Sequence, residues 1–228
     1  MSLFVIADLH LSLGSDKPMD IFRGWQDYLP RLEQNWRETV TEADTVVIPG
    51  DVSWAMSLEE ATTDFAFLHG LPGQKLILKG NHDYWWSTRR KMDAYFEEKG
   101  FTTLRLVHND AVPVGEVAVC GTRGWFFDAE ADADRKVLLR EVGRLNTSIE
   151  AAKATGLTPL VFLHYPPVTR DAVCPEIFDA LRGQGITHCY YGHLHGPSIP
   201  RAFCGVREGI AFQLVSGDAL AFKPLKIL

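Results

Sequence analysis

The sequence predicts an α/β fold, and three observations carry that reading. Short, largely apolar runs recur at residues 3–7, 45–48, 75–79, 159–163 and 187–191, the length and texture of buried strands. Stretches with helical spacing of apolar residues stand between many of them. Each run stops abruptly at polar residues, and in open α/β sheets sites collect beyond the carboxyl ends of strands.

Residues 3–7 end in Asp8-Leu9-His10. Side chains at i and i+2 of an extended chain point the same way, so this carboxylate and imidazole project together. Residues 11–25 hold Gly, Ser, Asp and Pro and read as a loop. Residues 29–42 read as a helix, with Pro30 tolerated in the first turn and Leu32, Trp36 and Val40 on one stripe. The second strand ends in Pro49-Gly50-Asp51. Ser57-Leu58-Glu59-Glu60 is a capping box that predicts a helix to about residue 69. The third strand runs into Gly80-Asn81-His82-Asp83, where a glycine lets the backbone turn at a point a side chain would obstruct. Ser87 is the expected cap of a helix running to Lys99, with Gly100 as its stop.

The texture changes after residue 101. Runs at 102–106, 111–114 and 116–120 are short and β-like, separated by His108-Asn109-Asp110 and by Gly115. They predict antiparallel, meander-like pairing. Residues 122–134 read as a loop holding Arg123, Trp125, Phe126 and Phe127. Residues 135–154 predict a long helix stopped by Gly156. The strand at 159–163 ends in His164-Tyr165-Pro166-Pro167, a short helix follows at 175–181, and the strand at 187–191 ends in Gly192-His193-Leu194-His195. The remainder, including 209–214, reads as strands.

A length of 228 residues, without repeats or linker-like stretches, predicts one domain over 1–228. The formal net charge of −6 gives no general nucleic-acid footprint, so a phosphate-bearing substrate needs a local source of positive charge. Cys120, Cys174, Cys189 and Cys204 form no CxxC pair and are expected to be buried, reduced thiols. The N-terminal run lacks a basic region and is broken by Asp8 and His10, so no signal peptide is expected. No apolar run is long enough to cross a bilayer. A cytoplasmic protein is the default expectation.

Five strand ends thus carry Asp8 with His10, Asp51, Asn81 with His82, His164, and His193 with His195. Five of the eight histidines sit at these points. The other three, His69, His108 and His188, read as structural or surface residues. Oxygen ligands mixed with imidazoles suit a dinuclear site for Mn, Fe or Zn. Structural zinc would normally use cysteines, and a single catalytic zinc needs about three protein ligands. Two metals roughly 3.5–4 Å apart use the larger set, an arrangement suited to in-line displacement at phosphorus.

Asp8-x-His10, Gly50-Asp51, Gly80-Asn81-His82-Asp83, His164 and Gly192-His193-x-His195 resemble, in order, the motifs of the calcineurin-like metallophosphoesterases. The resemblance implies a four-layer α/β/β/α sandwich of two mixed sheets flanked by helices. It implies a metal-dependent phosphoesterase that hydrolyses a phosphate mono- or diester by attack of a hydroxide bridging two divalent ions. Carried over by position, Asp8, His10, Asp51 and His195 hold the first metal. Asp51, Asn81, His164 and His193 hold the second, and Asp51 bridges. His82 is implied as the catalytic, non-ligand histidine that steadies the transition state or protonates the leaving oxygen. Asp83 either orients that loop or merely caps a turn. The protein serine/threonine phosphatases of this superfamily resemble Gly-Asp-x-Val-Asp-Arg-Gly at the second motif. This chain has Gly50-Asp51-Val52-Ser53-Trp54 and lacks that phosphate-gripping arginine. A non-catalytic, protein-binding scaffold on the same fold is the alternative, against which every ligand and His82 are intact.

The expected partner is a small phosphate ester or a nucleotide-like substrate. Trp54, Trp85, Trp86 and Trp125 follow motif strands and either stack a flat group at the substrate mouth or pack loops onto the core. Arg123, in a Gly-flanked loop, is the better candidate to hold a second phosphate. Arg89 and Arg90 read as solvated helix residues. No pattern in the chain specifies an oligomeric state.

Overall fold

The computed structural model describes residues 1–125 and 132–228. Two mixed sheets lie face to face with helices on their outer sides. The first sheet is built from β1 (Leu3–Val5), β2 (Thr45–Pro49), β3 (Gln74–Leu78), β4 (Leu104–Leu106) and β11 (Leu225–Lys226), in the order β11-β1-β2-β3-β4. The second contains β5 (Ala111–Val114), β6 (Val117–Thr122), β7 (Thr158–Leu163), β8 (His188–Tyr191), β9 (Gly205–Arg207) and β10 (Ile210–Leu214), in the order β5-β6-β7-β8-β10-β9. The helices are α1 (Tyr28–Thr39), α2 (Thr62–His69), α3 (Arg89–Lys99), α4 (Asp132–Ala154) and α5 (Pro175–Gly183), with a 3-10 turn at Gly196–Arg201. Among the described residues no helix is long and apolar enough to cross a membrane.

The four layers follow from the two-residue period of a strand. In β2, Val46 and Ile48 face the cluster that holds Leu32 and Trp36 of α1 and Phe65 of α2, while Val47 faces the other sheet. In β7 the pattern is mirrored. Leu160 and Phe162 join Val47 between the sheets, and Val161 and Leu163 face Ile149 of α4 and Ile177 of α5. Strands buried on both faces read as continuous apolar runs.

β1 to β4 run parallel, as do β6, β7, β8 and β10. The carboxyl ends of β1, β2, β3, β7 and β8 therefore lead directly into the predicted motifs.

Several sequence expectations need correction. The predicted antiparallel meander splits in two: β4 pairs parallel with β3, and only β5 and β6 pair antiparallel. Helix α3 returns the chain to the same edge in the same direction, which a crossover helix does and a hairpin does not. β4 and β5 then belong to different sheets. The cap of α3 is Thr88, whose hydroxyl accepts the Lys91 N–H at 3.4 Å, and not Ser87. Ser57 caps a turn that precedes α2: its hydroxyl accepts the Glu60 N–H at 3.2 Å, and the Glu60 carboxylate accepts from Met56. α1 ends at Thr39 because Val40 turns extended. α4 begins at Asp132, before the expected residue 135. Phe126 and Phe127, expected in the preceding loop, lie outside the described residues. Cys120, Cys174 and Cys189 are buried free thiols, but Cys204 is exposed.

Candidate metal centre

The strand ends converge on one point at the rim. Asp8, Asp51 and His164 each bring a ligand atom within 4.8 Å of the others, and all three are buried. Asp51 Oδ2 lies 3.7 Å from His10 Nε2 and 3.4 Å from His164 Nε2. Asn81 Oδ1 stands 2.6 Å from His164 Nε2 and 3.0 Å from His193 Nδ1. The ring of His195 is 5.3 Å from that of His10. All seven predicted ligands thus gather around Asp51 and Asn81, contributed by both sheets.

The backbone is bent to achieve this. Asp8, His10, Asp51 and His193 all have φ between 45° and 70°. Left-handed backbone is uncommon for residues with a side chain and clusters at functional sites. Gly50 shares that left-handed backbone, with φ 90°, whereas Gly80 and Gly192 answer a different need, close approach. A Cβ on Gly80 would collide with the Asp51 carboxylate and backbone nitrogen, and one on Gly192 would stand 2.6 Å from Asp8 Oδ2. Gly80 is thus required by its neighbour rather than by a turn.

Asp83 resolves in favour of positioning. Its buried carboxylate accepts the N–H groups of Asp51 (2.9 Å), Val52 (2.9 Å) and Gly80 (2.7 Å), and the indole N–H of Trp85 (3.0 Å). One side chain ties the loop after β2 to the loop after β3. The His82 N–H donates to Asp51 Oδ1 at 2.8 Å, and that of His193 to Asp8 Oδ2 at 2.9 Å.

Burial sets the protonation chemistry. It pushes Asp8 up to about 7 and Asp51 well above the carboxylate range, the latter reinforced by the charges of Asp83 and Asp8. It pushes His10 and His164 well down, and His193 down to about 4, each helped by a neighbouring imidazole. The result is a buried set of neutral imidazoles beside two crowded carboxyls. Both ring nitrogens of His10 are buried without a hydrogen-bond partner among the described residues. Orphaned buried nitrogens beside crowded carboxyls are a donor set for divalent cations, so the residues present fit the metals that the motifs imply.

His82 is half-buried and stands apart from the oxygen donors. Its ring lies 4.4 Å from Trp54 and 5.7 Å from His10. Trp54 stacks on His10 at 4.9 Å and remains partly exposed, so its position leaves a contact with substrate open. Trp85 does not. It is buried against Phe65 and bonded to Asp83, and the expectation of a substrate contact fails because the Asp83 anchor draws it into the core. Trp86 and Trp125 pack partly buried against the two cores. Arg123 lies 5.2 Å over Trp125 and 3.8 Å from Glu141. Arg89 is half-buried and pairs with Asp93 and Asp110.

Sequence reasoning missed four neighbours. Trp25, assigned only to a loop, is buried 5.8 Å from His10 and 6.1 Å from His195. Lys17 sits 5.1 Å over Trp54. Beyond β10, Ser216 lies beside Asp8, and Asp218 accepts the Gly196 N–H at 2.6 Å next to His195. The signal was there for the last pair: an apolar run ending in Ser216-Gly217-Asp218 repeats the design of the other strand ends.

Comparison with known proteins identifies the family and the fold. The family model for calcineurin-like phosphoesterases matches residues 1–197. No curated protein is significantly similar in sequence. Among solved structures, the phosphopantetheinyl hydrolase PptH from Mycobacterium tuberculosis superposes with a TM-score of 0.55 at 16% identity, over 100% of this chain and 95% of that one. The protein of unknown function AQ665 from Aquifex aeolicus does so with a TM-score of 0.52 at 14% identity, over 99% and 95%. At that identity the likeness concerns the fold. With the family match covering most of its length, the chain belongs to the calcineurin-like phosphoesterases.

Proposed function

We propose that this chain, as one domain over residues 1–228, hydrolyses a small phosphate mono- or diester with two divalent ions, Mn, Fe or Zn. The observation that carries the reading is the buried convergence of Asp8, Asp51 and His164, beside a His10 whose nitrogens have no hydrogen-bond partner among the described residues. In this reading Asp8, His10, Asp51 and His195 hold one ion, and Asp51, Asn81, His164 and His193 the other. Asp51 suits the bridge because Oδ2 faces both His10 and His164 while Oδ1 is held by the His82 N–H. When bound, two divalent ions supply an acidified water and a Lewis acid for phosphoryl oxygens.

The remaining roles belong to the chain's own groups. Two carboxylates against about four positive charges leave the mouth positive, which draws phosphate to a chain of net charge −6. The His82 imidazole, outside the donor cluster and against Trp54, is placed to deliver a proton to the leaving oxygen. Burial, with His195 and Lys17 nearby, pushes its pKa down, which makes the protonated form a stronger acid.

The test is a turnover screen of Mn-loaded protein on aryl phosphate mono- and diesters and then on nucleotides, together with elemental analysis. Turnover with close to two ions per chain is expected. A well-ordered chain fully loaded with a single ion overturns the dinuclear reading, and loaded protein inert on every ester overturns the enzyme. Metal should also raise the melting temperature, because it binds the native state.

A further inference from the structure

A small cavity adjoins the centre and has no part in the roles above. It holds about 60 Å³, and its lining includes Lys79, Arg123, Arg144, Thr122 and Glu141. That is room for a few waters, and so for one tetrahedral oxyanion. Its walls are continuous with the proposed metal ligands. Lys79 leads into Gly80-Asn81, and the Arg123 carbonyl accepts the N–H groups of His164 (3.1 Å) and Tyr165 (2.8 Å).

Among the described residues the charges do not balance. Three cations meet one carboxylate there, and that carboxylate is committed: Glu141 is buried, accepts the Thr122 hydroxyl at 2.7 Å and pairs with Arg144. Arg123 reaches it only at 3.8 Å. The Nε of Arg123 is buried and has no hydrogen-bond partner among the described residues. Lys79 has no ion pair within 4 Å among them either. Part-buried guanidinium and ammonium groups with donors to spare are a fork for a phosphate-like anion. We propose that this cavity is a second oxyanion site, taking one phosphate-like group and separate from the metal centre. The anion is either a second phosphate of the substrate, a role that rests on the phosphoesterase reading, or a free inorganic ion, which does not.

Titration calorimetry of the Mn-loaded protein with inorganic phosphate tests the site directly. Two phosphates per chain are expected, one at each place. The double change Arg123→Gln, Arg144→Gln should leave one, and Asp51→Asn should leave the other. A single phosphate per chain, untouched by the double change, overturns the proposal. Arg144 is 45% exposed, and a glutamine there can still donate to the buried Glu141 carboxylate, so Arg144→Gln alone keeps that carboxylate hydrogen-bonded. It should weaken one class of site about tenfold, the worth of one charge-assisted contact, and no weakening also overturns the proposal. These stoichiometries do not need turnover, so an inert chain with an intact cavity site rejects the enzyme reading alone. Kinetics then identify the anion. In Arg144→Gln, a KM that rises at least about tenfold more for an aryl ester bearing a second phosphate than for the plain monoester assigns the cavity to substrate. An equal shift assigns it to the free ion.

Discussion

The two sheets bring unlike halves to the proposed centre. The first delivers both carboxylates and the amide, Asp8, Asp51 and Asn81, along with His10 and His82. Of the proposed ligands, the second delivers only imidazoles, His164, His193 and His195. The first half is also the more heavily braced. Asp51 is held by the His82 N–H, its loop by Asp83, and Asp8 by an N–H that crosses from the second sheet. Three of its residues are left-handed, against His193 alone in the second half. A buried carboxylate loses far more hydration than a buried neutral imidazole. The charged half therefore needs backbone donors and a cation, whereas the imidazole half needs little beyond burial.

The sharpest break in that contrast is Asp51→Asn. It removes charge from the one residue that faces both halves, so both ions should loosen and turnover should fall about 10²–10⁴-fold, the scale of losing one partner of a buried charge pair. Asp8→Asn should weaken mainly one ion. Elemental analysis beside kinetics checks the pair. Normal turnover and metal content in the Asp51 variant would remove the bridge and, with it, the reason for the bracing.

His82 belongs to the charged half by sequence but not by direction, since its ring turns to Trp54. His82→Ala should keep both ions and lower turnover roughly 10²–10⁴-fold on a poor alkoxide leaving group. A nitrophenolate leaving group needs no proton, so its loss should be smaller. Equal losses would leave only electrostatic stabilisation, and loss of an ion would move His82 into the ligand set.

Asp83→Asn probes the bracing itself. Exchanging a carboxylate for an amide among four main-chain N–H groups and an indole should cost about 1.5–3 kcal/mol, or roughly 3–12 °C in melting temperature for a domain of this size. No comparable change in the imidazole half, such as His195→Gln, should lower the melting point of metal-free protein as much. Calorimetric scans of the two variants decide it.

The strand ends were legible because an apolar run and its polar stop are adjacent in sequence. So were the layers, since both-face burial leaves continuous apolar runs. Pairing partners were not legible. Leu104-Arg105-Leu106 looks like any short strand, and only α3 packing sets it beside β3 rather than β5. Trp54 and Trp85 each follow a motif strand, yet one covers His10 and the other is drawn inward by Asp83. Asp83 itself acts on N–H groups some thirty residues away, a relation no local pattern reveals. Lys17 and Trp25 sit in an aperiodic loop, where residue type alone carries no position.

The smallest expected effect separates the halves by pH in metal-stripped protein. Asp8 has a folded pKa near 7 against an ordinary 3.8. Between those values the unfolded chain has released a proton that the folded chain keeps, so stability from this group falls as pH rises from about 4 to 7. His193 is displaced the other way, from 6.5 to about 4. Between those values the unfolded chain binds a proton that the folded chain refuses, so stability from this group falls as pH drops from about 6.5 to 4. The two slopes oppose each other across most of that window. Removing one should tilt the profile relative to the intact chain, whose other buried carboxyls and imidazoles are unchanged. In chelator-treated protein, Asp8→Asn should lose less melting temperature toward neutral pH than the intact chain does, and His193→Gln less toward acid pH. Added Mn should steepen the metal-bound advantage toward neutral pH in the intact chain, because the cation replaces the proton on Asp8. If both variants kept the intact chain's pH profile, the carboxylate and imidazole halves would not be opposed, and the contrast between the two sheets would reduce to composition.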